Sequence, residues 1–423
     1  MKKKRLLTHF CVALSTITLL LGIPVNGSLQ SPINPKEKPL IAVVIMVKNE
    51  GSFIAPTLQP LVEAGIKDFF VYDTGSTDGT PELAEQFFKD SDIINYHIRK
   101  EPFVDFAKSR NRAMDIADEI FPTATFYVFL DAEWYARNGQ ELVAFCEQHK
   151  YESDAAYFVR LQSPDFRLYK PCLIRREAHP RFLAPVHEYL NCYVPQRVPD
   201  SFYFELNRSE VGHEKSKHRY KRDLEILTKE YQEHPYDSRN VYYLAQTYSC
   251  LLDFPNAYKH YKLRTTMAGF EEENYSALLK MGLLVSEMSK NDPQYTWDLA
   301  LEHYLQAFSI RPTRIEPLIF IAQHYGIVGD YNTCFLFARR ALEIPIPTDV
   351  NDVEDNFYTS LRYILVSASA LYAGAYDIGL WATKKALEAN PQADYLQKNL
   401  NVYIDAINRT KQASQNQGEH ACA

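Results

Sequence analysis

None of the seven cysteines, Cys11, Cys146, Cys172, Cys192, Cys250, Cys334 and Cys422, stands in a C-x-x-C or comparable spacing. That argues against a zinc site, which needs thiolates or imidazoles paired at short range. An excess of basic charge is also missing. With 46 Lys and Arg against 53 Asp and Glu, the chain has no electrostatic footprint for coating nucleic acid, so no nucleic-acid partner is expected and any polyanion it handles should be small. The apolar stretch from about Phe10 to Val25 falls short of the roughly 20 residues that a comfortable transmembrane helix needs. Because Lys2, Lys3, Lys4 and Arg5 precede it and Pro24 interrupts it, residues 1–27 read as a signal peptide or short signal anchor, and 28–38 as a linker. Export would leave six cysteines, and a Cys172–Cys192 pair is then one option beside scattered buried thiols.

What is present is enough for more than one core, at 423 residues and 46% apolar content, so two domains are expected. The run PLIAVVIMVKNE (39–50) is a strand buried on both faces that ends in Lys48, Asn49 and Glu50. A helix from about Ser52 to Ala64 leads through Gly65 to KDFFVYD (67–73), which makes a strand, helix, strand unit and predicts a parallel sheet. TGSTDG follows as a turn, with Thr80 and Pro81 suited to open a helix. In DFAKSRNRAMDIADE (105–119), Lys108, Arg110 and Arg112 either meet a diphosphate or form a solvated basic face.

TFYVFLDAEW (125–134) is a third strand with carboxylates at its end. Asp131 and Glu133, two apart, point the same way if the chain stays extended. Ligands of open α/β sheets bind at such carboxyl ends, and two hard oxygen ligands suit Mg or Mn completed by water and substrate phosphates.

The series VKNE, VYDTGSTDGT, DFAKSRNRA and FLDAEW, in that order, resembles the family 2 glycosyltransferases of the GT-A fold over roughly residues 38–215. The resemblance implies an α/β domain (Rossmann-like, mostly parallel sheet with flanking helices) over 39–216, and sugar transfer from a nucleotide-sugar donor, UDP-sugars first among them. It implies a donor site of Lys48, Asn49, Glu50, Asp73, Arg110, Asn111, Asp131 and Trp134. Within it Asp73 would meet the nucleoside, and Arg110 with Asn111 the phosphate or sugar. A divalent cation, Mn or Mg, would sit on Asp131 and Glu133, with His187 as a further ligand. The family commonly reads LDADE where this chain has LDAEW, so Glu133 ligates one methylene further out and Trp134 replaces an acid. That ring either stacks on a base or sugar or wedges into the core. The segment 165–190 resembles the region where donor sugar meets acceptor. Its Glu188, His187 and Asp165 are the candidate catalytic bases of an inverting transfer, and a surface histidine with a salt-bridged glutamate is the alternative.

Beyond about residue 217 strand-like runs give way to amphipathic helices. Leu244, Ala245, Tyr248, Ala257 and Tyr261 match the tetratricopeptide pattern, as do Ala300, Tyr304 and Ala307 and then Ala322, Tyr325, Cys334 and Ala341. Ala300 to Cys334 is 34 positions, one repeat. An all-α, TPR-like solenoid is therefore expected over 217–410, with a polar, disordered tail over 411–423. Such a surface would recognise the acceptor, an unknown glycan, peptide or protein, or a protein partner. Two functions follow: a metal-dependent, inverting glycosyltransferase, or a non-catalytic repeat scaffold carrying a degenerate transferase domain. The leader is expected to export the chain or anchor it to a membrane, with the bulk in a secretory lumen if the host is eukaryotic and the cytosolic face of a membrane as the alternative.

Overall fold

The computed structural model describes residues 38–164, 166–206 and 210–421, without the side chains of 210–218 and 414–421. The expected leader, the linker up to residue 37, and Asp165 lie outside the described residues. Among the described residues no helix is long and apolar enough to cross a membrane.

The first part of the chain alternates strand and helix: β1 (Ile41–Val47), α1 (Ile54–Glu63), β2 (Asp68–Asp73), α2 (Thr80–Asp90), β3 (Asn95–Lys100), which the sequence reading did not predict, α3 (Phe106–Ile120) and β4 (Phe126–Asp131). There follow β5 (Trp134–Arg137), α4 (Gly139–His149), β6 (Ala156–Gln162), β7 (Arg167–Arg175), β8 (Phe182–Leu183), β9 (Tyr189–Leu190) and β10 (Tyr203–Leu206). One eight-stranded sheet runs in the order β3-β2-β1-β4-β7-β6-β10-β5. Strands β3, β2, β1 and β4 are parallel. The far half is mixed, since β7 is antiparallel to both neighbours and β5 is antiparallel to β10.

The central strand explains the burial. Ile41, Val43, Ile45 and Val47 of β1 face one core with Ile54 and Leu58 of α1, Phe88 of α2 and Leu142 of α4. Ala42, Val44 and Met46 face a second core with Ala113, Met114 and Ala117 of α3. A strand covered on both faces needs an unbroken apolar run, which is what β1 has. Register then places the chemistry: Val47 pairs with Asp73 and Met46 with Asp131. Both acids thus flank the carboxyl end of β1, on its two neighbours.

Among the described residues ten α-helices follow: α5 (Glu210–Glu233), α6 (Ser238–Cys250), α7 (Phe254–Arg264), α8 (Glu271–Met288), α9 (Trp297–Ile310), α10 (Glu316–Ile327), α11 (Tyr331–Leu342), α12 (Arg362–Ser369), α13 (Tyr376–Ala389) and α14 (Asp394–Ala421). The helical part starts at Glu210 rather than at 217. Its small and aromatic residues pack as the repeat pattern requires: Ala245, Ala257, Tyr261, Ala300, Ala307, Ala322 and Ala341 are all fully buried. Gly282 of α8 lies under the Tyr304 ring of α9, where an added Cβ would stand 2.5 Å from it. At the C-terminus α14 continues to Ala421.

The two parts form one body through the segment between α11 and α12. Arg167 of β7 exchanges backbone hydrogen bonds with Val353 (3.1 and 3.0 Å), and Tyr169 N donates to Val350 O at 2.8 Å. Buried Glu272 of α8 accepts from the amides of Val350 and Asn351, at 3.1 and 2.8 Å. Cys172 and Cys192 are both free thiols, so the disulfide option is corrected.

Candidate active site

The carboxyl end of β1 is laced to the turn after β2. Asn49, in the left-handed region at φ 58°, donates its amide to Ser76 Oγ at 2.8 Å and accepts from Thr77 N on its side chain at 2.8 Å. Glu50 N donates to Thr80 Oγ1 at 2.8 Å. Gly51 N donates to Asp78 Oδ2 at 3.0 Å. Thr80 is the first residue of α2 rather than its cap, which falls on Gly79. Lys48 is exposed at the same edge.

Asp73 is fully buried. Both its oxygens accept from Ser76 N at 3.1 Å, one accepts from Gly75 N at 3.3 Å, and Lys100 Nζ stands 3.7 Å away. The carboxylate holds the TGST turn, because an Asp side chain aimed at amides two and three residues ahead closes the turn itself.

Arg110 of α3 organises the centre of the site. Its side chain is 7% exposed; Nη2 donates to Asp131 Oδ1 at 2.7 Å and Nε to Glu188 Oε1 at 2.9 Å. Burial opposes the guanidinium charge, but Asp131 and Glu188 more than offset this and raise its pKa. For Glu188, burial works to raise the pKa, yet Arg110, then Lys170 and the backbone amide of Glu188 hold the carboxyl below its ordinary value. Glu188 is therefore ionised at neutral pH. Two carboxylates thus already pair with the Arg110 guanidinium.

Asn111 is likewise engaged by protein groups. Its Nδ2 donates to Phe182 O and its Oδ1 accepts from Phe182 N, both at 2.9 Å. The amide thus clamps β8 to α3 with both its polar atoms.

The DAEW motif does not stay extended. Glu133 turns at φ 65° and its amide donates to Thr57 Oγ1 at 3.1 Å, so the two acids do not project side by side along one strand. Trp134 packs against Phe204, with centroids 5.9 Å apart, and carries Lys170 Nζ over its ring at 5.4 Å. This is the packing that the wedge alternative describes.

His187 stacks on Tyr243 of α6, with centroids 3.9 Å apart and planes 11° off parallel. Burial, then the nearby cations Lys170, Arg239 and Arg219, push its pKa down to about 3. Arg239 Nη2 donates to the His187 carbonyl at 3.0 Å. Ala184 and His187 both sit at positive φ, 70° and 53°, a strain of about 1–3 kcal/mol each that persists only where surroundings fix it. Among the described residues no three His, Cys, Asp or Glu side chains gather as a metal site, so the set Asp131, Glu133 and His187 is not assembled.

Sequence reasoning missed Lys170, Arg239 and Tyr243. Lys170 lies in a plain strand with no local signal. Arg239 and Tyr243 stand in a stretch whose small and aromatic residues read entirely as repeat packing.

Residues 42–179 match the family model of Glycosyl transferase family 2. The motif resemblance stands on that match. No curated protein is significantly similar to the chain in sequence. Among solved structures, the chain is similar to a mannosyltransferase from Pyrobaculum calidifontis in complex with GDP-Man and Mn2+, at 16% identity, covering 65% of this chain and 88% of that one, TM-score 0.36. It is also similar to the C-terminal part of a TPR repeat-containing protein from Cytophaga hutchinsonii, at 14% identity over 46% of this chain and 69% of that one, TM-score 0.35. A thermophilic TPR protein of Thermus thermophilus aligns at 19% identity over 46% of this chain and 94% of that one, TM-score 0.29.

Proposed function

We propose that the chain is an inverting glycosyltransferase that moves a sugar from a nucleotide-sugar donor, a UDP- or GDP-sugar, to an acceptor hydroxyl. The observation that carries this reading is the convergence of Asp131 and Glu188 on the Arg110 guanidinium, at 2.7 and 2.9 Å. It lies at the carboxyl end of the parallel strands, where α/β sheets take ligands. In the proposed reaction the acceptor oxygen bonds to the anomeric carbon as the bond to the diphosphate oxygen breaks. Glu188 takes the acceptor proton, and the nucleoside diphosphate leaves with the bonding pair. Arg110, working against burial, keeps Glu188 ionised and aimed, which a base needs before the acceptor arrives. Lys170, exposed beside Trp134, is placed to meet a phosphate.

A hard divalent cation takes oxygen donors of the kind these acids offer. Asp131, with a side chain 35% exposed, and Glu133 are oxygen ligands too few for an all-protein cage, as befits Mg or Mn that keeps waters and phosphate oxygens. Such an ion would neutralise charge developing on the leaving diphosphate. The acceptor, whether glycan, peptide or protein, is assigned in this reading to the helical region, and residues 1–27 to export or anchoring.

Isothermal titration of the full chain with UDP and GDP, with and without Mn2+, tests the proposal. Metal-dependent binding of one of them is expected. Binding of neither removes the transferase reading and leaves the repeat scaffold. A screen of nucleotide-sugar hydrolysis then names the donor, and protease protection of fractionated membranes tests the export reading.

A further inference from the structure

The segment 184–188, which carries Glu188, has two residues in left-handed backbone, Ala184 and His187, neither of them glycine. It is gripped from two sides. From α3, Phe106 N donates to Pro185 O at 3.2 Å, and Arg110 takes Glu188 itself. From the helical region, Tyr243 stacks flat on His187, and Arg239 donates to its carbonyl. Val186 between them is buried against Leu227 and Leu244.

Arg239 is itself fixed. Its Nη1 meets the buried Glu273 at 2.7 Å, and its guanidinium lies 4.9 Å from the Tyr189 ring centroid. Glu273 is in turn held by the fully buried Arg264 at 3.4 Å. A buried charged chain of this kind is costly unless every member is paired. It ends on the carbonyl of the residue that precedes Glu188.

We infer that α6 is part of the transferase site: Tyr243 and Arg239 are positioning residues that lock segment 184–188 and so hold Glu188 toward Arg110 and Asp131. The inference rests on the transferase reading for its chemistry and on the strained, doubly gripped segment for its geometry. Strain of this sort survives where the surroundings over-determine it, and it collects where function needs a fixed side chain. The helical region then completes the site as well as offering a surface for recognition. A carboxylate misplaced by about 1 Å loses about a hundredfold in rate, so a clamp this close to Glu188 has a measurable effect on turnover.

The test compares full-length Tyr243→Ala and Tyr243→Phe with the wild type by amide hydrogen exchange, nucleoside-diphosphate titration and donor-sugar turnover. Tyr243→Ala should speed exchange across 184–190 by about tenfold or more, with the central strands still protected. It should lower kcat by about tenfold or more while the diphosphate Kd stays within about threefold. Tyr243→Phe keeps the stacked ring and should restore both protection and kcat. Unchanged exchange in 184–190, or an unchanged kcat in Tyr243→Ala, overturns the inference. If the wild type binds no nucleotide, the transferase reading falls separately, and the exchange arm still decides whether α6 holds the segment.

Discussion

Arg110 and Glu188, 78 positions apart in sequence, meet at 2.9 Å with the guanidinium almost wholly buried. The other arm of the same guanidinium reaches Asp131, so the two carboxylates are not independent: each is placed by the cation that neutralises it. Asp131 is the more exposed of the two and therefore the better one to remove. Asp131→Asn keeps the shape and one acceptor for Arg110, and Glu188 continues to balance the charge. The variant should lose about 10²–10³-fold in donor-sugar turnover. Its stability should fall by about 1 kcal/mol or less, since solvent screens a partly exposed pair. Turnover assays and a urea melt read both. Turnover equal to wild type would take Asp131 out of the site.

Asn111 supplies the contrasting case. Both its amide atoms are used by the Phe182 backbone, so Asn111→Ala should cost about 1–3 kcal/mol in folding free energy by leaving that peptide unpaired. The urea midpoint should drop with an unchanged slope. Nucleoside-diphosphate affinity should stay within about threefold of wild type, or about 0.7 kcal/mol. A much larger loss of affinity with stability intact would return Asn111 to the donor site.

The difference between these two neighbours shows what the sequence could and could not reveal. Asp131 is announced by local pattern: an apolar strand ends on it, and β1 and β2 end in the same register. The parallel strands, the helices between them and the buried alanines of the repeats are legible for the same reason, since each depends on spacing within a few residues. The roles of Asn111, Asp73 and Trp134 depend instead on which backbone or ring lies opposite. Nothing within a few residues of Asn111 announces the Phe182 peptide. Glu133 departs from expectation through one backbone angle, φ 65°, and a single turn residue undoes a period-of-two argument. Arg239 and Tyr243 were hidden because repeat packing accounts for their residue types equally well.

The repeat packing itself makes a prediction at Gly282. Replacing a helical glycine by alanine ordinarily gains about 1 kcal/mol. Here the new Cβ would lie 2.5 Å from the Tyr304 ring, and overpacking of this kind costs about 1–3 kcal/mol. The ring is nearly fully buried and cannot swing into solvent. Gly282→Ala should therefore be destabilising on balance, and adding Tyr304→Leu should recover part of the loss by opening the space. Thermal melts of the single and double variants measure this, and a single variant more stable than wild type would show that α8 and α9 can separate freely.

Acid should loosen the Glu188 segment in two stages. The pKa of His187 falls from 6.5 to about 3 on folding, so between those values the unfolded chain binds more protons than the native one and stability rises with pH. Its contribution is complete above about pH 6.5 and is lost as the pH falls toward 3, with a ceiling of about 5 kcal/mol. Glu188 is also depressed, from 4.5, so its contribution is present above about 4.5 and disappears only below that as the pH falls through its native value. Between pH 6.5 and 4.5 His187, and not Glu188, therefore contributes to the slope, beside His260, His303 and His324, whose pKa values burial also lowers. His187→Asn tolerates the left-handed backbone and removes the imidazole. It should flatten the dependence of melting temperature on pH in that interval and leave the steeper loss below about pH 4.5 in place. Melts at about half-unit steps from roughly pH 4 to 7.5 are sufficient, and an identical slope in the two proteins between about 4.5 and 6.5 would mean that His187 is protonated as readily in the fold as outside it.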